Sequence, residues 1–70
     1  MMKAEDYDLS RSEWTHLIDE WIFKERDRAI VKRRILDGIR YERLAEEFDL
    51  SVQQTKEIGY KANEILIKHI

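Results

Sequence analysis

Seventy residues make one domain, and a chain this short buries only roughly 60% of its unfolded surface, so its stability is marginal. With no cysteine and only two histidines, His16 and His69, disulfides, thiolate metal sites and a histidine metal cluster are excluded, while the absence of proline and a 40% content of charged residues favour helices with solvated faces. The net charge of −2 counts against indiscriminate nucleic-acid binding, but it is uneven: residues 1–28 carry five Lys/Arg against eight Asp/Glu, and residues 29–70 carry eight against seven.

Residues 1–9 read as a loose acidic tail, and residues 10–70 as a single helical domain. Ser10 and Glu13 have capping-box spacing, with Ser12 as an alternative cap. Trp14, Leu17, Ile18, Trp21 and Ile22 then recur at helical spacing on one apolar face, which predicts a helix from Arg11 to about Phe23. The charge-dense stretch Lys24 to Arg28 predicts a short break. A second helix runs from about Asp27 to Leu36, with Ile30, Val31 and Ile35 as its apolar contacts. Asp37-Gly38 ends it, because glycine suits the left-handed backbone that closes many helices. Tyr41, Leu44, Ala45 and Phe48 share a face of a third helix, Tyr41 to Phe48. Asp49-Leu50 forms a turn, Ser51 caps the start of a fourth helix, and that helix runs from Val52 to about His69. The fold class expected is all-α: a small four-helix domain containing a helix-turn-helix at residues 41–61.

Two helices joined by so short a turn must cross closely, so certain positions must be small or apolar. Ala45 is the small one; Leu44, Phe48, Leu50, Val52 and Ile58 supply apolar contacts. Gln53, Gln54, Lys56, Glu57, Tyr60 and Lys61 are left facing outward. Glutamine amides can read adenine edges, and lysines can contact phosphate or guanine. Arg40 and Arg43 are candidate phosphate ligands, because the first helix of such a motif crosses the nucleic-acid backbone.

Residues 28–66 resemble region four of bacterial sigma factors and the related LuxR-like and phage regulators. The resemblance rests on Arg28-Ala-Ile-Val-Lys-Arg-Arg-Ile-Leu-Asp-Gly38, Leu44-Ala45-Glu46-Glu47-Phe48, Ser51-Val52, Lys61-Ala62 and Leu66. It covers a little over half the chain and is more specific for fold than for function. It implies a helix after the turn that enters the major groove of double-stranded DNA, and it adds Ser51 to Gln53, Gln54, Lys56, Glu57, Tyr60 and Lys61 as DNA-binding residues. The sequence departs from the family pattern in three places: Asp49 stands where glycine is usual, Thr55 where an aliphatic residue packs, and Glu46, Glu47 and Glu57 bring negative charge to the DNA side.

The other features have plainer readings. Lys32-Arg33-Arg34 could touch flanking phosphates, but a helix surface paired with nearby acids is the preferred reading. Trp14 and Trp21 are most simply core, with a partner groove as the sharper alternative. His16 and His69 read as ordinary surface residues. No nucleophile–base pair, phosphate loop or metal spacing can be assembled, so no enzyme, cofactor or metal is expected. No apolar run approaches the roughly 18 residues of a membrane span, and the first residues lack a secretory stretch, so a cytoplasmic protein without membrane contact is expected. Ile65, Leu66, Ile67 and Ile70 cannot all share one helical face. Exposed members would mark a homodimer, or docking to a larger protein partner, through the C-terminal helix. Two functions are open to such a chain: a small DNA-binding transcriptional regulator, or a protein-binding adaptor or inhibitor on the same fold. A positive stripe on the fourth helix favours the first. A neutral or acidic face with exposed isoleucines favours the second.

Overall fold

The computed structural model describes residues 8–70. Four helices succeed one another: α1 (Arg11–Trp21), α2 (Glu25–Leu36), α3 (Tyr41–Glu47) and α4 (Val52–Ile67). No strand occurs among the described residues. Helix α4 packs against each of the other three. Of the expected acidic tail, residues 1–7 lie outside the described residues, and Leu9 packs against the core.

α1 starts where its capping box directs. The Ser10 hydroxyl accepts from the Glu13 amide at 3.1 Å, and the Glu13 carboxylate accepts from the Ser10 amide at 3.0 Å. Two backbone donors that the helix leaves unpaired are thereby satisfied. The helix stops at Trp21, short of the expected Phe23, because Ile22 adopts an extended backbone with ψ 113°. What holds that stop is Arg28, whose guanidinium donates to the carbonyls of Asp19, at 2.7 Å, and Ile22. A cation on the open carbonyls of a helix end also complements the helix dipole. Phe23 is carried out of the helix and is 78% exposed.

α2 begins at Glu25, two residues before the expected start. Lys24 is its N-cap without a side-chain cap bond, but Glu25 and Asp27 place negative charge in the first turn. The basic run Lys32-Arg33-Arg34 is internally committed, as the pairing argument predicts. Lys32 pairs with Asp19 at 2.7 Å, and Arg33 with Glu47 at 2.6 Å. Arg34 lies 4.4 Å over the Tyr41 ring and donates to the Ile39 carbonyl at 3.1 Å.

Burial falls into two clusters. The larger joins Trp14, Ile18 and Ile22 of the α1 segment to Val31 and Ile35 of α2 and to Ala62 and Leu66 of α4. The smaller joins Ile30 to Tyr41 and Leu44 of α3. Trp14 is fully buried, so the tryptophan stripe is core at that end. Trp21 is only half-buried and stacks face to face on His69 at 3.5 Å between ring centroids, which gives His69 a packing role the sequence did not suggest. Among the described residues, no helix is long and apolar enough to cross a membrane.

Candidate nucleic-acid interface

The turn between α3 and α4 is fixed by three local devices. At the end of α3 the Leu50 amide donates to the Ala45 carbonyl at 2.9 Å and the Asp49 amide to the Glu46 carbonyl at 3.4 Å. This is the Schellman pairing, which requires a left-handed residue between its two bonds. Asp49 supplies it with φ 55°, so the departure from glycine keeps the glycine backbone. At the start of α4 a second capping box joins Ser51 and Gln54: the Ser51 hydroxyl accepts from the Gln54 amide at 3.0 Å, and the Gln54 side-chain oxygen accepts from the Ser51 amide at 3.1 Å. Thr55, one turn on, is fully buried, and its hydroxyl donates to the Ser51 carbonyl at 2.8 Å. This buried position is therefore filled by a threonine whose polar atom is satisfied locally.

Beyond the turn, α3 and α4 meet at Tyr41 and Gly59. A Cβ placed on Gly59 would lie 2.4 Å from the Tyr41 hydroxyl and 2.6 Å from a ring carbon. Glycine inside a helix costs about 1 kcal/mol relative to alanine, and close approach by another side chain is a usual reason to accept that cost. The role of Gly59 was missed in the sequence, although its mid-helix position was the available signal. Tyr60 meets the same tyrosine edge to face, with ring centroids 5.8 Å apart. Burial pushes the Tyr41 phenol upward, and the positive Arg34 partly opposes this.

The nine sequence-derived site residues separate into groups. Ser51 and Gln54 are occupied by the cap, so neither oxygen is free to read a base. Gln53 and Glu57 are exposed and joined by a 3.4 Å bond from the Gln53 amide group. Lys56 and Tyr60 lie one turn apart on α4, and Tyr60 meets Tyr41 of α3. Gln54, Glu57 and Lys61 line a groove beside the α1–α2 connection. Arg43 is exposed but approaches Glu47 at 3.5 Å. Arg33 is the nearer partner; its hydrogen bonds, helped by Arg43, hold the Glu47 carboxyl below the usual range. Arg40, the N-cap residue of α3, is exposed and makes no ion pair among the described residues. Gln53, Lys56 and Tyr60 on α4, and Arg40 at the start of α3, are therefore among the side chains that the turn does not use.

Charge does not single out this face. Residues 41–61 hold Arg43, Lys56 and Lys61 against Glu42, Glu46, Glu47, Asp49 and Glu57, a net of −2. No group of three or more metal-binding side chains occurs among the described residues. No known protein family matches the sequence, and neither a curated protein nor a solved structure matches it significantly.

Proposed function

We propose that α3 and α4 form a helix-turn-helix and that the protein is a small DNA-binding transcriptional regulator resembling sigma region four. The observation carrying this reading is the construction of the turn. A Schellman closure, a left-handed Asp49 and a Ser51–Gln54 capping box fix the entry of α4, while Tyr41 seated on Gly59 fixes its approach to α3. So defined a turn presents the first two turns of α4 in one orientation, as reading base edges in a major groove requires. In this reading Gln53 and Lys56 contact bases, Tyr60 packs against the sugar–phosphate chain, and Arg40 and Arg43 neutralise phosphates. Ser51 and Gln54 serve the motif by holding the helix start. Lys61 and Glu57 sit at its margin.

The test is selection from a random duplex pool at two salt concentrations. Enrichment of a defined sequence, with affinity falling as salt rises, supports the reading. Absence of any bound fraction at low salt removes it. The second reading, a protein-binding adaptor or inhibitor without DNA binding, is favoured by the net charge of −2 over residues 41–61 and by Ile67 and Ile70, which are about half exposed (50% and 49%). Stable capture of a protein partner by a chain that retains no duplex would establish it.

A further inference from the structure

A groove of 490 Å³ runs between α4, the α1–α2 connection and Leu50 of the α3–α4 turn. Its floor is apolar: Ile22 and Ala62 are buried there, and Trp21, Ile58 and Ile65 are half-buried. Phe23 stands at its lip, the most exposed large apolar side chain among those described. An exposed phenylalanine beside an unfilled apolar floor is unfavourable in water, and such patches mark interaction surfaces. The charges at the rim indicate the occupant. Asp27 is paired with Arg26 at 3.4 Å, and Glu57 accepts from Gln53. Lys24 and Lys61, also on the rim, make no ion pair among the described residues. With Arg26 and Asp27 cancelling, Lys24 and Lys61 stand against the one carboxylate of Glu57, so the rim carries a net charge of +1 in a chain of net charge −2.

We propose that this groove is the docking site for an acidic amphipathic helix of a partner protein, with apolar anchors on the floor against Phe23 and carboxylates meeting Lys24 and Lys61. A helix laid into an apolar groove is a common recognition mode, and its flanking charges set orientation and selectivity. A second copy of this chain fits less well. Its exposed isoleucines, Ile67 and Ile70, flank Lys68 and His69, so they would bring lysine towards lysine. The groove borders the DNA-candidate face, since Gln54, Glu57 and Lys61 line it, but the observations carrying the proposal are Phe23, the apolar floor and the rim charges rather than any base contact.

The probe is a synthetic helical peptide with leucine and phenylalanine at i, i+3, i+4 and i+7 and glutamate on its remaining face. A second peptide carries lysine in place of each glutamate. Fluorescence anisotropy with the full chain should show saturable binding of the acidic peptide, with the basic one at least tenfold weaker. Phe23→Ser should weaken the acidic peptide at least tenfold. The double variant Lys24→Glu, Lys61→Glu should reverse the preference between peptides. Because all three positions are exposed, unchanged thermal melts will show that these variants remain folded. Equal binding of both peptides, no saturable binding, or binding indifferent to Phe23→Ser overturns the proposal. So does light scattering that shows a dimer dispersed by Phe23→Ser, which would assign the groove to a second copy.

Discussion

On the flank of α4 that faces α3, Thr55 and Gly59 are buried and the Tyr41 ring lies directly on the glycine backbone. On the flank that faces the α1–α2 connection, Ile58 and Ile65 are only half covered, and Phe23 is left in solvent. The same helix is thus closed on one side by close approach and open on the other. The closed side sets the geometry of α4 against α3. The open side leaves apolar area unburied, and it is there that the proposed acidic helix is placed.

The comparison breaks first at the core. Trp14→Ala should cost about 3–5 kcal/mol, comparable to the whole stability of a domain this small, and the cooperative thermal transition should disappear. Phe23→Ala should stay within about 0.5 kcal/mol, as for an exposed site without structural partners. A large loss at Phe23 would mean that the open flank is structural after all. Next, Gly59→Ala should lower the melting temperature or leave it unchanged. Overpacking against Tyr41 costs roughly 1–3 kcal/mol, which outweighs or cancels the gain of about 1 kcal/mol in helix propensity. A clear rise would show that the closed flank is looser than the Tyr41–Gly59 contact implies. Ser51→Ala should cost about 1 kcal/mol by chemical denaturation through loss of the cap.

The smallest effect is pH dependence. Hydrogen bonding to Ser10 holds Glu13 below its ordinary value, Lys32 does so for Asp19, Arg11 for Asp37 and Arg33 for Glu47. Lowered carboxyls contribute stability that is present above their unfolded values and lost as pH falls through their folded ones. The melting temperature should therefore be flat near neutrality and decline below about pH 4. A melting temperature unchanged at pH 2 would show these exposed pairs to be inert.

The helix boundaries were legible in the sequence. Ser10 with Glu13, Ser51 as the cap of α4, and Gly38 after Leu36 are local signals whose physics acts within a few residues, and each helix boundary they mark lies close to its expected place. Pairing of the Lys32-Arg33-Arg34 run was also expected from the density of neighbouring acids. The open flank was not legible. That Phe23 leaves α1 depends on Arg28 reaching back to the carbonyls of Asp19 and Ile22, a contact that periodicity does not encode. Gln54 and Lys56 look alike as outward polar residues, and only the cap geometry separates a structural glutamine from a free lysine. Trp21 on His69 likewise joins the ends of α1 and the chain, a pairing set by tertiary packing alone.

Duplex binding by single variants tests the central claim, that α4 reads DNA along Gln53 and Lys56 while its other flank does not. Anisotropy titrations on the selected duplex should give a lower affinity for Arg40→Ala on every sequence, with the salt slope reduced by about one. Gln53→Ala should instead lose discrimination at one base pair, by about 1–3 kcal/mol, and Phe23→Ser should leave the affinity unchanged. Equal affinity for Arg40→Ala, Gln53→Ala and the unaltered chain would contradict the claim.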